Sequence, residues 1–113
     1  MKVREDAMKT RDFEIALKFK NLLRDKVKLH QAILFGSRAR GDADPESDMD
    51  ILVILDEEQT SPVRDILSDC AWQVGFDSGL VVAPVVFSRE EWENGPERSS
   101  LLAMAMREEG VSI

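Results

Sequence analysis

The sequence is poor in the residues of redox and transition-metal chemistry, with one cysteine, Cys70, and one histidine, His30, in 113 residues. A lone cysteine excludes an internal disulfide. A lone histidine without a Cys or His partner nearby excludes a zinc-type centre and leaves His30 an ordinary structural or surface role. Also missing is any apolar run approaching the ~20 residues of a membrane helix. The opening Met1-Lys2-Val3-Arg4-Glu5-Asp6 is not followed by the apolar core of a signal peptide, so a cytoplasmic protein without membrane association is expected. Basic residues are the minority, 15 Lys and Arg against 22 Asp and Glu, for a net charge of −7. That sign opposes the basic surface with which proteins grip nucleic acid, so no direct nucleic-acid contact is expected. Repeats and low-complexity tracts are lacking. At this length one compact domain over residues 1–113 is expected, burying roughly two thirds of the surface that the unfolded chain exposes.

What is present is an alternation of helical and extended patterns. From about Thr10 to Lys28, Ala16, Phe19, Leu23 and Val27 form an apolar stripe flanked by Ile15 and Leu22. The spacing predicts an amphipathic helix packed on a sheet, its charged side a solvated face. Ser61-Pro62 is a helix start, because Ser caps the first amides and Pro suits the first helical position. The stripe Val63, Ile66, Leu67, Cys70, Ala71 and Val74 follows, with Gly75 as the expected end. Cys70 lies in that stripe and reads as core. Gly79–Phe87 is apolar and rich in β-branched residues, a third strand in which Pro84 points to a sheet edge or a bulge. Ser88-Arg89-Glu90-Glu91 is a capping box that opens a short helix carrying Trp92. Gly95-Pro96 breaks it, and Glu97–Glu109, closed by Gly110, is a last helix whose wide apolar arc is expected to meet the core, with any remainder open to a partner.

The most informative stretch is 32–55. Two apolar runs, Ala32–Phe35 and Ile51–Leu55, read as strands joined by a polar connector. Gly36-Ser37 stands at one end of the connector and Asp48-Met49-Asp50 at the other. Alternation along a strand puts Asp48 and Asp50 on one face. Two adjacent carboxylates repel, which is relieved by a raised pKa or by a cation, and oxygen ligands favour a hard ion such as Mg²⁺. The Gly-Ser turn opens a short helical turn through Arg38, Ala39 and Arg40, so backbone amides and a hydroxyl face outward together, as in phosphate cradles. A metal on one lip and phosphates on the other describe a nucleoside triphosphate site.

Gly36-Ser37, ten residues, then Asp48-Met49-Asp50 resembles the Gly-Ser-x10-Asp-x-Asp signature of the minimal nucleotidyltransferases (MNT), a branch of the DNA polymerase β-like superfamily. The resemblance runs from about Leu29 to the C-terminus. It implies an α/β (α+β) fold, a small mixed sheet of three or four strands with helices mainly on one face. The expected order is helix, strand, short helix, strand, helix, strand, helix, helix. It further implies transfer of a nucleoside monophosphate, AMP from ATP, to a hydroxyl. Asp48 and Asp50 would be the catalytic metal ligands for Mg²⁺, and Gly36 and Ser37 would hold the β and γ phosphates. Arg38 and Arg40 are close enough to help with triphosphate charge.

The family pattern also has a third carboxylate on the next strand, and here the sequence departs from it: Leu80–Phe87 contains no acid. The nearest acids are Asp77, expected in a loop before that strand, and Glu90 after it, and Asp77 is the expected substitute. Stand-alone MNT chains resemble antitoxins whose partner is a HEPN ribonuclease toxin, silenced by transfer of AMP to a hydroxyl, typically of tyrosine. A complex with such a partner, or a homo-oligomer, is compatible with this length. The alternatives are a catalytically degenerate module that neutralises its partner by covering it, and a transferase acting on a small-molecule hydroxyl.

Overall fold

The computed structural model describes residues 9–96 and 100–113. Along them run α1 (Thr10–Arg24), β1 (Leu29–Phe35), α2 (Ser37–Arg40), β2 (Met49–Leu55), α3 (Ser61–Ser78), β3 (Val82–Ser88), α4 (Arg89–Asn94), α5 (Leu101–Glu109) and β4 (Val111–Ser112). The strands form one mixed sheet in the order β3-β2-β1-β4. β1 pairs antiparallel with β2 and β4, whereas β2 and β3 run parallel. A parallel pair needs a crossover connection, and α3 supplies it. The register along the sheet places Phe35 beside Asp50 and Asp50 beside Ala83.

β2 is central, and its residues from Ile51 to Leu55 are all buried, as expected of a strand covered on both faces. Met49, Ile51, Val53 and Leu55 enter the main core with Phe19, Leu23, Leu67 and Val74 of α1 and α3. Leu52 and Ile54 project to the other face, where a smaller cluster joins them to Met106, Trp92 and Phe87. Each such side chain removed from water is worth about 1.5–3 kcal/mol, so the first face holds most of the stability. The long helices thus lie on one face, and the short α4 and α5 cover the second thinly.

Several boundaries differ from the sequence reading. α1 stops at Arg24, because Lys26 and Val27 turn their amides back to the Leu23 carbonyl. Gly75 does not end α3: it is buried within the helix, where a Cβ would stand 2.6 Å from the Leu80 carbonyl oxygen. The stop is Gly79, with φ 75° and its amide bonded to the Gly75 carbonyl, a left-handed cap suited to glycine. β3 accordingly starts at Val82, and Pro84 sits on an edge strand, where a missing donor is tolerated. The capping box forms as expected, with reciprocal Ser88 and Glu91 bonds, and these bonds hold the Glu91 carboxyl below its ordinary pKa. The expected start of the last helix at Glu97, like the opening hexapeptide, falls outside the described residues; α5 is capped by Ser100, whose hydroxyl accepts from the Ala103 amide. On α3 the rings of Trp72 and Phe76 stack with centroids 5.0 Å apart while both stay exposed. Cys70 is buried, and burial pushes its thiol pKa up.

Candidate functional site

The site forms where β1 ends and β2 begins. Gly36, at the exit of β1, has φ 78° and ψ −160°, a region open almost only to glycine. The same residue leaves a gap that a side chain would fill: a Cβ there would stand 2.7 Å from Oδ2 of Asp50. The Gly-Ser turn and the second carboxylate of the motif are therefore in contact across the antiparallel pair. Behind the turn, Ala39 and Arg40 donate to the Gly36 carbonyl, and Gly41 and Asp42 to that of Ser37. The first amides of the short helix have no acceptor within it.

Met49 is fully buried beneath the site, and its amide donates to the Val81 carbonyl at 2.8 Å. Asp50 points to the thinly covered face and is half-buried. Burial, and then the charge of Asp48, raise its carboxyl above the ordinary pKa of 3.8. The two carboxylates are thus electrostatically coupled as alternation suggests, although β2 starts at Met49 and Asp48 is exposed at the end of the connector.

A pair of carboxylates in this setting fits Mg²⁺, which takes one or two protein carboxylates together with phosphate oxygens. Among the described residues no three His, Cys, Asp or Glu side chains come together as a metal cluster. The β3 residue alongside Asp50 is Ala83, and no residue of β3 is an acid. Asp77 is not in a loop, contrary to expectation: it lies in the last turn of α3, a helix that packs on the face opposite to Asp50.

The two arginines of the turn have separate fates. Arg40 is exposed and pairs with Glu109 at 3.0 Å and Asp42 at 3.3 Å, and these bonds, Glu109 first, raise its pKa. Arg38 is 4% exposed and faces inward. Its Nη1 donates to Asp12 Oδ1 at 2.8 Å, and its Nη2 to the carbonyls of Ser47 at 2.8 Å and Pro45 at 3.0 Å. The expected help with triphosphate charge is therefore not available from Arg38 as placed, because its donors are already used within the protein. Asp12, the partner that makes this burial tolerable, carries no signal in the sequence beyond an acid in the first turn of an amphipathic helix. His30 sits at the far end of the sheet, 3.6 Å from Asp56. Also at that end, away from the Asp pair, is a cleft lined by His30, Ile33, Ile54, Trp92 and Met106.

Known proteins resemble this chain in sequence and in fold. The chain is 34% identical over 64 residues to MJ0141 of Methanocaldococcus jannaschii, which is named for protein adenylyltransferase activity; the match covers 57% of this chain and 65% of that protein. A chain from the crystal structure of a toxin–antitoxin with AMP-PNP superposes with a TM-score of 0.61 at 25% identity, over 86% of this chain and 70% of that one. Spectinomycin adenyltransferase AAD(9) of Enterococcus faecialis, crystallised with ATP and spectinomycin, gives a TM-score of 0.59 at 26% identity, over 73% of this chain and 36% of that one. The fold alone is shared, at 23% identity and a TM-score of 0.57, with a chain of the complex between a tri-AMPylated Shewanella oneidensis HEPN toxin and its MNT antitoxin, covering 89% of this chain and 70% of that one. The family model of the nucleotidyltransferase domain matches residues 17–107. With its Gly-Ser turn set against the Asp-x-Asp pair, the chain belongs to the nucleotidyltransferase domain family.

Proposed function

We propose that this chain transfers AMP from ATP to a hydroxyl of a partner protein, and that it serves as the antitoxin of a HEPN ribonuclease in the cytoplasm. The observation that carries the reading is the contact between Gly36 and Asp50, which unites a phosphate-type turn with a carboxylate pair. The name of MJ0141 and the AMP-PNP-bound toxin–antitoxin support it. The chain contains no tyrosine, so a tyrosine acceptor has to arrive on another molecule. A net charge of −7 suits a partner whose basic surface handles RNA.

In this reading Asp48 and Asp50 hold Mg²⁺, and Gly36 and Ser37 orient the β and γ phosphates through backbone amides and the Ser37 hydroxyl. Bound Mg²⁺ supplies neutralisation of phosphoryl charge and activation of the α-phosphorus towards attack. Arg40, exposed at the rim, can exchange its Glu109 and Asp42 partners for a phosphate oxygen. The acceptor hydroxyl attacks the α-phosphorus, the bond to the β-phosphate oxygen breaks, and pyrophosphate leaves. With Ala83 beside Asp50, no β3 carboxylate takes the acceptor proton, which passes to a motif carboxylate or to solvent. The missing base is worth about 10²–10⁴ in rate.

Ala83 is also the observation that favours a second reading, a module that neutralises the partner by covering it. Transfer of label from ATP labelled at the α-phosphate to the candidate toxin, with Mg²⁺, separates the two. Label that appears with the natural chain and vanishes in Asp48→Asn/Asp50→Asn supports the transferase. A partner that is bound and silenced without label supports occlusion. Label on a small hydroxyl compound without any protein partner supports a small-molecule transferase.

A further inference from the structure

The carboxylate of Asp48 has to stand beside that of Asp50, yet Asp48 precedes the first residue of β2. On its C-terminal side it is fixed by Met49, which is buried and bonded to Val81. On its N-terminal side the peptide group is planar, so the Ser47 carbonyl and the Asp48 amide turn as one unit. The Ser47 carbonyl is the group that Arg38 grips twice, from Nε at 3.1 Å and from Nη2 at 2.8 Å. The same guanidinium reaches the Pro45 carbonyl at 3.0 Å and is neutralised by Asp12, itself 3% exposed.

We infer that Arg38 is a positioning residue of the metal site: by clamping the peptide that leads into Asp48, it sets the direction of that carboxylate towards Asp50. The inference rests on the proposed nucleotidyltransferase reading. With its donors taken by Asp12 and the Ser47 and Pro45 carbonyls, Arg38 acts through the connector, whose Asp44 and Ser47 are further tied by the Ser47 amide at 3.0 Å. A planar fork with several donors is needed, because Asp12 and the carbonyls approach the guanidinium from different sides. Lysine keeps the charge but presents its donors from one point, so it can satisfy Asp12 or the connector and not both.

The test compares Arg38→Lys with Val63→Ala, a destabilising control in the first turn of α3, where Val63 is buried. Amide exchange across residues 47–49 and the midpoint for binding Mn²⁺ alone are both measured on the full chain. Arg38→Lys is expected to speed exchange at these amides and to raise the Mn²⁺ midpoint about tenfold or more, as is typical of groups that orient metal ligands. Val63→Ala is expected to lower the melting temperature and move neither. If Arg38→Lys does not fold, Arg38→Met/Asp12→Leu removes the pair without leaving a buried charge and carries the same expectations. Unchanged exchange at 47–49, or a Mn²⁺ midpoint moved no further than in the control, overturns the inference. Failure of the natural chain to bind Mn²⁺ in a manner lost in Asp48→Asn/Asp50→Asn would instead count against the metal-dependent reading, and the exchange measurement still decides whether Arg38 holds Asp48.

Discussion

The two faces of the sheet are built for different ends. One face is sealed by α1 and α3 over fully buried side chains such as Phe19, Leu23, Ile51 and Val53. The other has a smaller cluster of buried residues, Leu52, Ile54 and Met106, packed with half-buried neighbours, and at its upper end it carries Asp50. The thin face leaves that carboxylate partly dry: enough to raise its pKa, yet open enough for a cation to reach it. A carboxylate on the thick face would be buried outright, at a cost of several kcal/mol as an ion. The domain therefore concentrates its stability on one side of β2 and carries the candidate site on the other.

The largest effect that tests this division is on transfer. Asp48→Asn/Asp50→Asn removes charge stabilisation worth several kcal/mol, so label transfer from ATP should fall about a thousandfold while the melting temperature does not drop. On stability, Phe19→Ala on the thick face should cost about 3–5 kcal/mol, and Met106→Ala on the thin face about 2 kcal/mol, as read by denaturant titration. Equal costs would break the comparison. Gly36→Ala should cost about 1–3 kcal/mol through its backbone conformation alone. It should also weaken Mn²⁺ binding beyond what that loss explains, since the new Cβ displaces the Asp50 carboxylate.

The smallest effect is on pH dependence. The folded pKa of Asp50 is raised above its ordinary 3.8, so the native state holds this proton more tightly than the unfolded chain does. Its contribution to stability is present below the ordinary value and is lost as pH rises through the raised value. Without metal, Asp50→Asn should therefore be more stable than the natural chain at neutral pH, with the difference vanishing below the ordinary pKa. Cation binding by the natural chain should fail on acidification at a higher pH than a free aspartate would.

Much of this division can be read in the sequence, and its gaps have physical causes. The unbroken apolar run Ile51–Leu55 announces a strand, and the Ser88 capping box marks a helix start through interactions local in sequence. The cap expected of Ser61 is instead supplied one residue earlier by Thr60, whose hydroxyl accepts from the Val63 amide, and Ser61 is the first residue of α3. Gly75 and Gly79 look alike as helix stops. Only packing separates them, since Gly75 is pressed under the Leu80 carbonyl and the helix runs on, carrying Asp77 into its last turn. Arg38 and Arg40 are likewise indistinguishable in a polar turn, until Asp12, 26 residues earlier, draws one of them inside. The short β4 pairs with β1 through Ile33–Ser112 and Leu34–Val111, a register that no local pattern encodes. That Ala83 is the residue beside Asp50 emerges only once β2 and β3 are aligned.

The exposed stack of Trp72 on Phe76 gives the molecule an optical asymmetry. The chain has two tryptophans: the indole of Trp72 is 69% exposed, whereas Trp92 packs against Phe87 at 5.4 Å. Their emission is therefore a sum of one water-relaxed spectrum at long wavelength and one shielded spectrum at shorter wavelength. A protein that settles on the outer side of α3 shifts the first component and leaves the second alone, and one that settles near α4 does the reverse. The colour of the fluorescence change on mixing thus locates the docking face without any label attached to the chain.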